Sequence, residues 1–217
     1  MHHEIIQKIR FLFYNENMNS TNKRGLILFV MSLVFGILDY YMCDFVVYLL
    51  KVPLFCDTIF CLAITFLANP LWGILSVISY HVFDIIISHS FVIYQLYTLS
   101  AFIGCVTAWF YKKQVMKDSD TVIVTIVKLL GLSLVMCLVM SISGGIISRI
   151  CAYANGDGSE YTFQTEFLAV LFEGKLKFPL LDAILLRIPV NILDRLITVF
   201  AAFGVYKLLA KCRFLQK

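Results

Sequence analysis

The segment from residue 187 to 195 places charged and polar side chains inside an otherwise apolar stretch. Its sequence, RIPVNILDR, contains Arg187, Asn191, Asp194 and Arg195. On an α-helix these positions fall at i, i+4 and i+7 or i+8, so the side chains share one face. A charge near the centre of a bilayer costs at least about 2.5–3.5 kcal/mol, so it normally faces protein, water or a ligand. Arginine forks and an amide on one face could hold a polar or anionic solute by hydrogen bonds.

Pro189 lies within the same segment. A proline has no backbone N–H, so it cannot donate to the carbonyl of Leu185 one turn earlier. That carbonyl is then an additional acceptor at the level of the polar face, where lipid offers no hydrogen bond. The segment therefore predicts a binding face on a membrane-spanning helix.

Other ionisable residues also interrupt apolar runs: Asp39, Asp57, His81, Asp84 and Asp182. Two interpretations stay open for this set. The arginines could pair with the acids and hold the helices together, which is the usual fate of such charges. Alternatively, the polar groups line a cavity that is open to the outside and binds a small solute. Both can hold at once.

No sequence motif for catalysis accompanies these residues. The chain lacks a phosphate-binding loop, an HExxH zinc motif and a GxSxG nucleophile motif. Its 7 cysteines are scattered, without the spacing of a zinc site or a disulfide framework. The sequence therefore predicts a protein that is not an enzyme and that binds no metal or cofactor. Lys and Arg lie at the ends of apolar runs, which argues against nucleic acid as a partner.

The composition is that of a membrane protein. Hydrophobic residues make up 60% of the 217 residues, against roughly 45–50% in soluble domains, and the mean hydropathy is +0.86. The run from 54 to 88 is too long for one span of about 20 residues, and Asn69-Pro70 divides it. The predicted spans cover about 25–44, 54–68, 71–88, 92–111, 121–147 and 180–206.

These spans predict an all-α membrane protein, a six-transmembrane-helix bundle with both termini cytoplasmic. Lys and Arg concentrate on the side of the two termini, and the positive-inside rule makes that side cytoplasmic. We expect a multi-pass protein of the plasma membrane, surrounded by the lipid bilayer. Residues 1–22 would be a cytoplasmic or interfacial segment, 23–212 the transmembrane domain and 213–217 a cytoplasmic tail. The loop 155–178 would be an outer lid or an interfacial helix, because its apolar residues recur with helical spacing.

Span 1 carries Ser32 and Gly36 four residues apart. This small-xxx-small spacing lets another helix approach closely. The pair predicts a helix contact, and a membrane partner is one candidate for it.

Three motifs lie in a characteristic order: Asp57-Thr58-Ile-Phe at the start of span 2, Asn69-Pro-Leu-Trp-Gly73 at the turn into span 3, and Pro189-Val-Asn191-Ile-Leu-Asp194-Arg195 in span 6. Together they resemble the substrate-binding S components of energy-coupling-factor (ECF) vitamin transporters, over about residues 24–210. The chain departs from that family at Ser32 and Gly36, where an alanine pair is usual. It also departs at Ser76 and Ser79, where glycines are common.

The resemblance implies a small membrane protein that captures a vitamin or a related molecule from outside the cell. It would dock on a membrane coupling subunit driven by ATPase subunits, through Ser32 and Gly36. Carried over to this chain, the resemblance makes Asn191 and Arg195 ligand contacts. With the intramembrane charges, the predicted substrate-binding set is Asp57, Asp84, Arg187, Asn191 and Arg195.

Two other functions stay open at this point. A stand-alone ion-coupled secondary transporter would use Asp57 or Asp84 as its proton or ion site. A membrane sensor or structural subunit would use the charges only to hold the bundle together.

Overall fold

The described part of the chain is helical and contains no strand. The computed structural model describes residues 20–89, 93–117, 119–155 and 179–212. The helices are Ser20–Asp44 (α1), Ile59–Leu67 (α2), Pro70–Ser88 (α3), Tyr97–Val115 (α4), Val122–Asn155 (α5), Pro179–Leu185 (α6) and Arg187–Leu209 (α7). A π-helical turn, Phe45–Leu49, continues α1, and a 3-10 turn, Ile93–Leu96, precedes α4. The prediction of an all-α protein is confirmed for these residues.

Some sequence predictions concern segments outside the described residues. The surface helix expected within 1–22, the lid expected within 155–178 and the tail 213–217 all fall there, apart from the few residues at the ends of α1 and α5. Those predictions stay untested.

Four helical stretches in the described residues are long and apolar enough to cross a membrane. They are Asn22–Leu49, Pro70–Ser88, Val122–Ala154 and Leu180–Leu209. This finding fits the predicted membrane protein. The number of six spans and the side of the membrane that holds the termini stay predictions.

Helix α2 is shorter than the span predicted at 54–68. It has nine residues, about 14 Å at 1.5 Å per residue, less than half of a hydrocarbon core of about 30 Å. It is nonetheless the most buried helix, since its residues from Cys61 to Phe66 are all buried. The segment before it, 50–58, is not helical, and its residues 54–58 form the start of the predicted span.

The turn between α2 and α3 is formed as the sequence predicts. Helix α2 ends at Leu67, and Pro70 is the first residue of α3, where its missing N–H leaves no hydrogen bond unmade. The Asn69 side chain accepts a hydrogen bond from the backbone N–H of Leu71 at 3.0 Å, which caps the new helix.

The predicted span at 180–206 consists of two helices. Helix α6 ends at Leu185, and Leu186 forms a turn before α7 begins. Pro189 is the third residue of α7 and cannot donate to the Leu185 carbonyl, which explains an interruption at this place. Helix α5 runs on to Asn155, beyond the predicted end at 147.

Helices α1 and α3 pack closely at Gly36. A Cβ atom at Gly36 would lie 2.7 Å from the backbone nitrogen of Tyr80, and closer still to the carbonyl oxygen of Ser76. The Ser79 hydroxyl donates to the Leu33 carbonyl at 2.8 Å and ties the two helices together.

This contact shows which helix lies against the small residues of α1. Gly36 is covered by the chain's own α3, and Ser32 is fully buried, with its hydroxyl donating to the Leu28 carbonyl at 2.8 Å. The spacing does permit close helix approach, but the helix that approaches belongs to the same chain. Docking on a coupling subunit through Ser32 and Gly36 stays a prediction.

The two ends of the bundle are marked by different polar contacts. At one end Lys112 Nζ donates to the Phe66 carbonyl and lies 4.2 Å from the centre of the Tyr206 ring. At the same end the Tyr111 hydroxyl donates to the Lys128 carbonyl at 3.0 Å. Asp39, Asp57, Asp84 and Arg187 come together at the opposite end, which the sequence assigns to the outer half of the membrane.

Candidate functional site

A cavity of about 270 Å³ lies at this opposite end of the bundle. Its lining comes from α1, α3, α4, α5 and α7 and from the segment before α2. The lining includes all five residues of the predicted substrate-binding set: Asp57, Asp84, Arg187, Asn191 and Arg195. Asp39 and His81 also line it, whereas Asp182 and Asp194 are not among its lining residues. The structure thus brings the predicted residues together, and their binding of a solute stays a prediction.

Arg195 is held by a buried carboxylate. Its Nη2 atom forms an ion pair with Asp194, and its Nη1 atom donates to the Thr58 hydroxyl at 2.7 Å. A longer contact of 3.4 Å joins Nη2 to Asp57. Arg195 is 1% exposed and Asp194 0%, so this pair is shielded from solvent. The pairing interpretation therefore describes Arg195 well.

Asp194 also fixes the backbone before α2. Its Oδ1 atom accepts hydrogen bonds from the N–H groups of Phe55 at 2.9 Å and Cys56 at 2.8 Å. Two residues of this segment, Lys51 and Cys56, have φ angles of 55° and 47°. Such left-handed conformations are unfavourable for side chains other than glycine and persist where the surroundings hold them. Asp194 therefore anchors the segment 50–58 beside the cavity.

Asp39 caps helix α2 from the neighbouring helix α1. Its two carboxylate oxygens accept hydrogen bonds from the backbone N–H groups of Phe60 at 2.9 Å and Cys61 at 2.8 Å. These N–H groups have no partner within the helix, and the positive end of the helix dipole favours a carboxylate there. Asp39 is 1% exposed, and both of its carboxylate oxygens accept hydrogen bonds in this cap.

We expect Asp39→Ala to lower the free energy of unfolding by about 2–4 kcal/mol, because two buried N–H groups lose their acceptor. Asp39→Asn should cost less, since its amide oxygen can still accept one of the two bonds. Thermal unfolding of the detergent-solubilised protein measures both. Asp44→Asn, at the exposed end of the same helix, is the control and should stay within about 0.5 kcal/mol of wild type. Equal stability of all three variants would refute the cap.

A hydrogen-bonded chain of three side chains connects α3 to the start of α4. The Gln95 amide donates from Nε2 to Asp84 Oδ2 at 2.8 Å. Its Oε1 atom lies 2.6 Å from His81 Nδ1, which must then carry the proton. Gln95 was not singled out by the sequence analysis, because a single amide near a span end gives no periodic or motif signal.

Arg187 has a different environment from Arg195. Its Nη2 atom donates to the Tyr97 hydroxyl at 2.6 Å and to the Ser148 hydroxyl at 3.2 Å. The guanidinium carbon lies 5.2 Å from the centre of the Tyr97 ring. The side chain is 4% exposed, and no carboxylate of the described residues forms an ion pair with it.

Gly144 of α5 makes room for the Arg187 guanidinium. A Cβ atom at Gly144 would lie 3.1 Å from Nη1 of Arg187. Tyr97, Ser148 and Gly144 are not among the residues that the sequence predicts for the site. The glycine pair 144–145 within a long apolar span was the available signal, because glycines in membrane helices often mark close approach.

Asn191 lies between the two arginines on the same helix face. Its Nδ2 atom donates to the Ser141 hydroxyl of α5 at 2.9 Å, and the residue is 3% exposed. Beside it, the hydroxyls of Ser100 and Ser143 lie 2.5 Å apart and join α4 to α5. This wall of the cavity is therefore polar and tied across three helices.

A comparison with protein-family models, with curated proteins and with solved structures gives no match for this chain. Its class therefore follows from its own fold and geometry. The described residues form an all-helical bundle, and four of its helical stretches are apolar and long enough to cross a membrane. Within the bundle lies a cavity with a polar lining that includes Arg187 and Arg195. The apolar helices are compatible with a membrane protein.

Proposed function

We propose that this protein is the integral-membrane substrate-capture subunit of an ATP-driven importer of the ECF type. In this function it binds a vitamin or a related small molecule in the cavity and performs no catalysis. One observation carries the proposal: all five polar residues predicted to bind substrate line one cavity of about 270 Å³. That volume is close to the lower end of the range for small-molecule pockets, about 300–1,000 Å³. The ECF-type partners, a coupling subunit and ATPase subunits, rest on the sequence resemblance.

The rigidity of the cavity supports a role in binding. Arg195 is fixed by Asp194 and Thr58, and Asp194 in turn fixes the backbone of Phe55 and Cys56. A wall that is ordered before the solute arrives loses little conformational freedom on binding, which favours affinity.

A purely structural role explains only part of the polar set. It accounts for Arg195, Asp194 and Asp39, whose charged atoms bind other groups of the chain. It does not account for Arg187, a buried cation without a carboxylate partner among the described residues. A buried charge without a partner is unfavourable, and such a residue is normally retained where a function requires it.

Mass spectrometry of small molecules that co-purify with the detergent-solubilised protein tests solute capture. A single small molecule present in near-stoichiometric amount is the expected result. Co-purification of the chain with a membrane coupling subunit and ATPases tests the ATP-driven importer. Uptake by the chain alone in liposomes, driven by an ion gradient, would instead assign it to the secondary carriers.

Asn191→Ala should weaken binding of the co-purifying molecule roughly tenfold or more while the protein stays folded. The loss of one buried hydrogen bond costs about 1–3 kcal/mol, and about 1.4 kcal/mol is tenfold in affinity. Titration calorimetry measures the affinity. Ser141→Ala is the control, because it removes the amide's partner but leaves the amide itself in the cavity. An unchanged affinity in Asn191→Ala would exclude this amide from the site.

A further inference from the structure

We infer that the cavity takes a solute with a single carboxylate group and that Arg187 is the residue that binds this group. The inference deepens the proposed function and rests on it, since it assumes that the cavity binds a solute. It comes from a difference between two arginines that the sequence presents as equivalent. Both lie on α7, both are at least nine-tenths buried and both line the cavity.

The two arginines differ in charge compensation. Arg195 forms an ion pair with the buried Asp194 and lies 3.4 Å from Asp57. Arg187 has two hydroxyl partners, Tyr97 and Ser148, and both are neutral. Among the described residues no carboxylate lies within ion-pair distance of Arg187. The only uncompensated buried cation of the described cavity lining is therefore at Arg187.

A buried cation without a counter-charge is unfavourable, because the hydration it has lost is not replaced. Hydroxyl groups restore part of that interaction through their dipoles, but they bring no negative charge. An anionic group in the cavity would supply it, with charge-assisted hydrogen bonds about twice as strong as neutral ones.

The geometry leaves donors for such a group. A guanidinium has five N–H donors, and the hydrogen bonds of Arg187 to the chain come from Nη2 alone. Nη1 and Nε donate to no described residue. Tyr97 fixes the guanidinium through its hydroxyl and places its ring 5.2 Å away. The fork is thus held in position against Gly144, and both residues line the cavity.

The other charges of the cavity favour a monoanion over a phosphate. Asp57 and Asp84 line the same cavity, and each carboxylate repels a second negative charge. Asp84 accepts from Gln95 and, as a carboxylate, has further acceptor sites. These acids suit N–H or O–H groups at the other end of the solute. The solute class is therefore a small organic acid with one carboxylate and with hydrogen-bond donors away from it.

The test uses a panel of small aromatic and aliphatic carboxylic acids, each paired with its neutral carboxamide. Binding to the purified full chain is measured by the shift of the thermal unfolding midpoint with concentration. We expect at least one acid to bind about tenfold to a hundredfold more tightly than its amide. Phosphate monoesters, as dianions, should bind more weakly than the matched acid. Equal shifts from every acid and its amide, including no shift from either, overturn the inference.

Substitutions then test whether Arg187 is the residue that causes the preference for acids over amides. Arg187→Gln should reduce the acid-over-amide preference to about twofold or less, whereas Arg187→Lys should keep a part of it. Lys207→Gln is the matched control, since it removes an exposed cation from the other end of the same helix and should leave the preference unchanged. A full preference in Arg187→Gln overturns the assignment to Arg187. If Arg187→Gln does not accumulate, the acid-over-amide preference of Arg187→Lys is compared with that of wild type, and this comparison decides the assignment to Arg187.

The outcome can be separated from that of the proposed function. A co-purifying molecule without an acidic group would leave solute capture intact and refute the carboxylate. Absence of any co-purifying molecule, together with a panel that produces no shift, would refute both.

Discussion

Asp194→Ala should cause a large loss of stability, about 3–5 kcal/mol in the free energy of unfolding. Breaking a buried ion pair by removing one partner leaves the other charge uncompensated, and here that partner is Arg195, which is 1% exposed. The same substitution removes the acceptor of the Phe55 and Cys56 N–H groups. The segment before α2 would then lose its anchor at the same time. Thermal and chemical unfolding in detergent measure the loss.

Asp57→Ala is the matched comparison, because its carboxylate is the second acid near Arg195. The Asp57 side chain is 31% exposed and lies 3.4 Å from the guanidinium, whereas the Asp194 side chain is 0% exposed. Partly exposed pairs are screened and typically contribute about 0–1 kcal/mol. We therefore expect Asp57→Ala to be the milder variant by a clear margin. Equal losses would mean that Arg195 depends on both acids, and the assignment of Asp194 as its main partner would be wrong.

The sequence predicts the location of the cavity because lipid imposes a strong penalty on charge. Arg187, Asn191 and Arg195 share a helical spacing inside an apolar run, and this spacing is enough to define one face. The turn at Asn69-Pro70 is equally predictable, since proline restricts the residue before it and lacks an N–H. In both cases the cause is local, so no knowledge of tertiary contacts is required.

Which residues form ion pairs and hydrogen bonds with each other is not determined locally, and the sequence does not predict it. Asp194 lies next to Arg195 in the chain, yet adjacent residues on a helix do not face each other by spacing alone. The Asp194 carboxylate is also held by the backbone N–H groups of Phe55 and Cys56, which are 139 and 138 residues away in the chain. Asp39 likewise caps α2 by accepting from Phe60, which is 21 residues further along the chain. Helix α2 is also shorter than its apolar run suggests. Such contacts depend on how the helices pack, and the pattern of one helix does not contain that information.

The two buried acids have a common effect on the site. Asp194 from α7 binds backbone N–H groups at Phe55 and Cys56, and Asp39 from α1 binds those at Phe60 and Cys61. The backbone that borders the cavity is therefore held at two places by carboxylates from two different helices. With these acids and Arg195 occupied by the fold, Arg187 is left as the cation available to the proposed solute, so charge pairing and the proposed binding are compatible in this bundle.

Gly36 lies at a close contact between α1 and α3, and the sequence predicts a docking role for it that stays untested. Gly36→Leu should lower the free energy of unfolding by about 3 kcal/mol or more, or prevent accumulation of the protein, because overpacking at a backbone contact forces helices apart. A Cβ atom at this position would lie 2.7 Å from the Tyr80 nitrogen, and backbone atoms cannot rotate away as a flexible side chain can.

Gly204 provides a control for this substitution, since it is also a helical glycine but a Cβ atom there has nothing within 4 Å. Gly204→Leu should therefore be at least as stable as wild type, because leucine has a higher helix propensity than glycine. Thermal unfolding of the two variants in parallel removes the common effect of adding a leucine. If Gly36→Leu were as stable as Gly204→Leu but failed to assemble with a coupling subunit, Gly36 would lie on a free docking face, as the sequence predicts. Loss of the folded chain before any partner is added would instead confirm that α3 occupies this face.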